Sequence, residues 1–170
     1  INLLRKSLIE ISKILNEYNI IGLVETLGFE KSTLRKKSLA IKIINEIKST
    51  KIKILHDTFH HKLAEENKFY IDYTELVHIS GVADHYRNHK LTDDYRSVIE
   101  ENDLIENIKQ IKKFLQNGYK GYFSFEPFSE KLISNVDKFN LTKKSIDFIL
   151  SNITKWWKYE HEILFRLGRN

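Results

Sequence analysis

From its start, the chain carries Leu4, Leu8, Ile11, Leu15 and Tyr18, spaced by four, three, four and three residues. That spacing lays one apolar stripe along an amphipathic helix. After Asn19 the periodicity gives way to a short apolar run, Ile20-Ile21-Gly22-Leu23-Val24, leading into Glu25. Its length and β-branched content predict a buried strand. Leu39, Ile43 and Ile47, with Ala40 and Ile44 beside them, predict a second helix, and Ser32 is placed to cap its N-terminus.

The alternation continues to the end of the chain. Ile52–Leu55 reads as a strand entering His56-Asp57-Thr58-Phe59-His60-His61, and Leu76-Val77-His78-Ile79 as a third, stopped by Ser80-Gly81. Leu104, Ile108, Ile111 and Leu115 share one face of a further helix that Gly118 closes. Gly121–Phe125 is the fourth strand and runs into Glu126-Pro127. Asn140 or Thr142 starts a closing helical region, continued by Ile146, Ile149, Ile153 and Trp157 as far as Leu167. Strands alternating with helices imply right-handed crossovers and parallel strands, in one α/β domain over residues 1–170. A doubly wound sheet and a (β/α)8 barrel both meet that description.

Each of the four strands ends in an ionisable residue: Glu25, Asp57, His78 and Glu126. In barrels the C-terminal strand ends form one rim where the chemistry is done, so four such residues on adjacent strands would converge. Three carboxylates and one imidazole suit a single divalent ion, Mn²⁺ or Zn²⁺ first and Co²⁺ or Mg²⁺ after them. Gathering three carboxylates without a cation would be costly, because like charges oppose one another's ionisation. The chain has no cysteine, which removes disulfides and thiolate metal sites from consideration.

Composition narrows the field further. With 41% hydrophobic and 30% charged residues the chain has the makeup of a folded protein. No apolar run approaches the roughly 20 residues needed to cross a bilayer. The first segment is amphipathic and carries Glu10 and Glu17, unlike a signal peptide, so a cytoplasmic location is expected. The net charge is +5 and the pI about 9.2, yet the lysines are interleaved with glutamates and form no long basic block. That pattern reads as a solvated surface and argues against nucleic acid as the partner. The absence of methionine and the start at Ile1 point to part of a longer protein.

The segments Val24-Glu25-Thr26-Leu27-Gly28-Phe29, His56-Asp57-Thr58-Phe59-His60-His61, Val77-His78-Ile79-Ser80-Gly81-Val82 and Gly118–Phe128 together carry a family resemblance. In this order, with the four acidic and histidine positions 32, 21 and 48 residues apart, they resemble the sugar isomerase/epimerase superfamily with the xylose isomerase-like barrel. Within it they are most similar to inosose (2-keto-myo-inositol) isomerase-like members. The resemblance implies the C-terminal half of a TIM barrel, strands five to eight with their helices. It also implies Glu25, Asp57, His78 and Glu126 as the metal ligands; of these, Glu25 and Glu126 are the candidates for acid and base, as carboxylates on opposite sides of a substrate could shuttle a proton. His60, three residues after Asp57, matches a substrate-touching histidine, and Arg96 in Asp93-Asp94-Tyr95-Arg96 matches an Asp-x-x-Arg element assigned to substrate binding.

The implied reaction is the isomerisation or epimerisation of a keto sugar or inosose. A proton leaves the carbon beside the carbonyl and returns through an enediolate that a bound cation stabilises. A dehydratase begins with the same step. An endonuclease IV-like phosphodiesterase shares the barrel, but Ser80-Gly81-Val82 and Asp94-Tyr95-Arg96 depart from that family's metal elements. A non-catalytic half-barrel is the third alternative. At 170 residues the chain is short of the about 250 typical of a full barrel. The missing N-terminal half-barrel or another subunit is therefore an expected partner, beside the small-molecule substrate.

The remaining polar and aromatic residues receive plainer readings. His56 alternates away from Asp57, toward the helices. His61 is a loop or supporting residue as readily as a ligand, and His85, Arg87 and His89 belong to an exposed loop. Phe123 and Phe125 face the helices, with Tyr122, Ser124 and Glu126 on the other side. Trp156-Trp157 belongs to the packing of the last helix.

Overall fold

The computed structural model describes residues 1–154. The elements are α1 (Asn2–Glu17), β1 (Gly22–Glu25), α2 (Lys37–Glu46), β2 (Ile52–Asp57), α3 (Thr58–Ala64), β3 (Thr74–Ile79), α4 (Asn107–Gln116), β4 (Tyr122–Phe125), α5 (Glu130–Ile133) and α6 (Lys138–Thr154). Short 3-10 turns lie at Ile71–Tyr73, Asp84–Tyr86 and Asp93–Tyr95. Trp156, Trp157 and the continuation of the predicted stripe to Leu167 lie outside the described residues.

The chain divides into two compact units, Ile1–Val77 and His78–Asn170, and the division falls within β3. The strands form one four-stranded sheet in the order β1-β2-β3-β4, the order of the sequence. Strand β1 pairs parallel to β2, with Gly22 opposite Ile52 and Glu25 opposite Leu55. Sequential parallel neighbours require the crossover helices that the alternating pattern predicts.

The core of the first unit is built from α1, α2 and β2: Leu8, Leu15, Ala40, Ile43, Ile44 and Ile54 bury their side chains there. Of the predicted α1 stripe, Leu8 and Leu15 are buried, while Ile11 and Tyr18 are exposed. The first strand is shorter than expected, because Ile20 and Ile21 precede it and are exposed. Ser32 does not cap α2. That helix begins five residues later, and the carboxylate of Glu66 accepts from the amides of Lys37 (3.1 Å) and Ser38 (3.0 Å) in place of a local cap.

In the second unit, α4 begins at Asn107, so Leu104 lies ahead of the helix rather than on its apolar face. The face it buries is Asn107, Gln110, Ile111 and Phe114. Two of these are polar and serve the backbone: Asn107 Nδ2 donates to Ser80 O at 2.8 Å, and Gln110 Nε2 to Ile105 O at 2.8 Å. The helix closes at Asn117, followed by Gly118 at φ +79°, a left-handed position that glycine takes at no steric cost. Phe123 packs edge-on to Tyr119 and Phe114, on the helix side as its alternation predicts. Helix α6 starts at Lys138, ahead of the predicted start, and buries Ser145, Ile149 and Ile153.

Candidate functional site

In the first unit, Glu25 is the last residue of β1 and Asp57 the last of β2. Glu25 is paired with Leu55, and alternation returns Asp57 to the face of Leu55, so both carboxylates lie on one side of the sheet. His56 takes the opposite side and is buried, its ring stacked on Phe69 at 5.5 Å. Asp57 is 3% exposed and N-caps α3, its Oδ1 accepting from the amide of His60 at 2.8 Å. The sequence Asp-x-x-His therefore has a local cause: the cap that starts the helix sets His60 on its first turn.

His60 is buried, with the rings of Phe29 and Phe59 edge-on to it at 5.1 and 5.3 Å. The loop after Glu25 is pinned to α3 in two ways. Arg35 donates to Gly28 O (2.8 Å) and to Leu63 O (2.6 Å). At Gly28, an added Cβ would stand 2.1 Å from His60 O, so only glycine lets the loop lie this close to the helix.

Behind α3 lies a buried polar cluster that the sequence reading did not find. Lys37 Nζ is 2.8 Å from His61 Nδ1 and 3.2 Å from Glu66 Oε2. Burial lowers the Lys37 pKa against the raising influence of Glu66. Burial, and then the Lys37 charge, push His61 down to about 3, which makes it a neutral structural acceptor in this cluster.

In the second unit, His78 and Glu126 come together, with His78 Nδ1 3.0 Å from Glu126 Oε1. Glu126 is fixed at its main chain by a bond from its amide to Ile79 O (3.0 Å). Its Oε2 accepts from Arg96 at 2.8 Å. Arg96 is 1% exposed, and its Nε donates to Ser80 Oγ at 2.9 Å. His85, Arg87 and His89 are exposed, in a segment where Tyr86 stacks on Tyr95 at 4.2 Å.

The His78–Glu126 contact tests whether the residues fit a metal. His78 Nδ1 is buried and has no hydrogen-bond partner among the described residues, although a carboxylate oxygen lies 3.0 Å away. A ring nitrogen and a carboxylate oxygen this close, without the geometry of a hydrogen bond, are placed as ligands of a shared cation are. Ligands about 2.1 Å from one ion stand about 3.0 to 3.4 Å apart, for octahedral and tetrahedral edges respectively. The fit is met in this pair.

The profile of the xylose isomerase-like TIM barrel family matches residues 1–152, and the chain belongs to that family. No curated protein matches it. Among solved structures, a xylose isomerase domain containing protein from Salmonella typhimurium LT2 is 34% identical, with a TM-score of 0.77, covering 88% of this chain and 56% of that one. The IolI protein, solved with a binding zinc atom, shares 20% identity and a TM-score of 0.69, over 89% of this chain and 55% of that one. An L-ribulose 3-epimerase shares 19% identity and a TM-score of 0.68, over 97% and 58%. The chain thus spans a little over half the length of these structures, and its fold is that of half a TIM barrel, α/β as expected. Among the described residues, no helix is long and apolar enough to cross a membrane.

Proposed function

We propose that this chain carries the metal-holding rim of an isomerase or epimerase acting on a keto sugar or inosose. Glu25, Asp57, His78 and Glu126 are, in this reading, the ligands of one divalent ion. The observation that carries it is the buried Nδ1 of His78, which makes no hydrogen bond among the described residues and lies 3.0 Å from Glu126 Oε1. Further support comes from the similar station of all four residues, within one residue of the C-terminal ends of β1 to β4. Each offers a ligand atom of the kind a divalent ion takes, a carboxylate oxygen or an imidazole nitrogen. The donor set favours Mn²⁺ or Zn²⁺, with Co²⁺ or Mg²⁺ next, and the zinc atom in the IolI structure speaks for a site of this kind.

A divalent ion bound there would polarise a substrate carbonyl and offset the negative charge that develops on its oxygen. The protein's own groups move the proton. Glu25 and Glu126 act as base and acid, one removing the proton beside the carbonyl and the other returning one to the neighbouring carbon or the opposite face. His60, set by the Asp57 cap, contacts substrate hydroxyls. The rest of the pocket is assigned to a further half-barrel or another subunit, since this chain covers only 56% and 55% of the two similar structures.

Metal analysis of the purified chain tests the site: one divalent ion is expected in the natural protein and its loss in Glu126→Gln. Metal in neither would sink the proposal. Activity is tested by metal-dependent exchange of solvent protons into candidate keto sugars and inososes. Cleavage of abasic DNA without sugar exchange would favour a phosphodiesterase instead.

A further inference from the structure

We infer that Arg96 is a positioning residue for Glu126 rather than a contact to the substrate; the inference rests on the metal-site reading above. Its side chain is 1% exposed, and its donors are directed at the protein. Nε donates to Ser80 Oγ (2.9 Å), one terminal nitrogen to Asp93 Oδ1 (3.1 Å) and the other to Glu126 Oε2 (2.8 Å). The guanidinium also lies over the ring of Phe128, 4.8 Å from its centroid.

The main chain of the same residue grips the same segment. Arg96 O accepts from the amides of Phe128 (3.0 Å) and Ser129 (2.7 Å). Glu126-Pro127-Phe128 is thus held on both sides of its proline, by the guanidinium before it and the carbonyl after it. Ser80, two residues beyond His78, ties this clamp to the end of β3. With Oε2 engaged by a cation, the carboxylate leaves Oε1 toward His78 Nδ1 at 3.0 Å. The planar fork of arginine meets Ser80 and Glu126 at fixed angles, which the point charge of lysine does not reproduce. Residues that orient a metal-binding carboxylate in this way are commonly worth 10- to 100-fold in metal affinity.

The test titrates Co²⁺ alone into the natural chain, Ser80→Ala, Arg96→Lys and Arg96→Met, following the visible d–d absorption and the thermal midpoint without metal. The expected result is Co²⁺ binding weakened about 10-fold in Ser80→Ala and Arg96→Lys and about 100-fold in Arg96→Met, with a changed absorption envelope. A purely structural role would lower the amount of folded protein without changing the spectrum of the site. Unchanged affinity and spectrum in Ser80→Ala and Arg96→Lys would overturn the inference and leave the metal site standing. No Co²⁺ binding by the natural chain would overturn both. If Arg96→Met does not fold, Ser80→Ala decides, since it removes one hydroxyl and no charge.

Discussion

Acidification should destabilise the first unit through His61, by an amount that can be worked from its surroundings. The ring is buried beside His56 and Phe69, at 4.7 and 4.4 Å, and its Nδ1 is 2.8 Å from Lys37 Nζ. Lysine can only donate, so Nδ1 accepts and the neutral ring carries its proton on Nε2. Burial first, and the Lys37 charge second, lower its pKa from 6.5 to about 3. The unfolded chain binds a proton near pH 6.5 that the folded chain refuses until about pH 3. Stability from this group is therefore complete above pH 6.5 and falls as the pH falls, by about 1.4 kcal/mol per unit.

From pH 7 to 4.5 the loss is about 3 kcal/mol, a large share of the roughly 5–15 kcal/mol of a typical domain. Glu66 does not confuse this window. Burial raises its pKa, but the Ser38 amide and Lys37 outweigh that and lower it, so its own contribution is lost only below the usual carboxylate range. Urea unfolding followed by far-ultraviolet circular dichroism at pH 7, 6, 5 and 4.5 measures the effect. His61→Gln is the reference, since its side-chain oxygen still accepts from Lys37 and does not titrate. The natural chain should lose about 3 kcal/mol more than the variant over this range. Parallel curves would mean that folded His61 protonates near its ordinary pKa, and the reasoning from burial and Lys37 would fail.

Three further outcomes follow from the same contacts. Gly28→Ala places a Cβ 2.1 Å from His60 O and 2.9 Å from Ala64 N, both backbone atoms, so the Glu25 loop must lift from α3. A loss of about 1–3 kcal/mol or more is expected in chemical denaturation. Glu66→Ala removes the acceptor for two α2 amides and strands the buried Lys37 ammonium, at about 3–5 kcal/mol; pairing Lys37→Met with Glu66→Gln should cost much less in the same assay. Zn²⁺ at 100 times its dissociation constant should stabilise the natural chain by about 2.7 kcal/mol, raising the thermal midpoint on the order of 5–10 °C. EDTA should reverse that rise in scanning fluorimetry, and Glu126→Gln should not show it.

What could be read in the chain, and what could not, divides by the range of the interactions involved. A strand that ends in an ionisable residue is a local pattern, and Glu25 and Asp57 stand at the strand ends, with His78 one residue before the end of β3 and Glu126 one residue beyond β4. The placement of His60 was equally legible, because the Asp57 cap that sets it acts across three residues. Ser32 misled because its type suits a helix cap, whereas the true acceptor, Glu66, lies 29 residues from Lys37 in sequence. Helix α4 misled for a related reason. Its buried Asn107 and Gln110 look solvent-facing by type, and the carbonyls that make their burial affordable, Ser80 O and Ile105 O, lie outside the helix.

Arg96 shows most clearly where local reading stops. An Asp-x-x-Arg element names the residue but not its target, and a charged side chain near a strand-end site is naturally assigned to the ligand. Beside Asp93, its partners in the second unit include Ser80, 16 residues before it, and Glu126, 30 after it. Nothing in the periodicity of the chain announces that an arginine will be 1% exposed. A buried guanidinium is tolerated only where carboxylates and hydroxyls meet its fork, so its burial marks the carboxylate it holds. By that physical route the residue read as a substrate contact becomes evidence about Glu126: a carboxylate with one oxygen engaged by a fixed cation has the other held in a single direction, and that direction is toward His78.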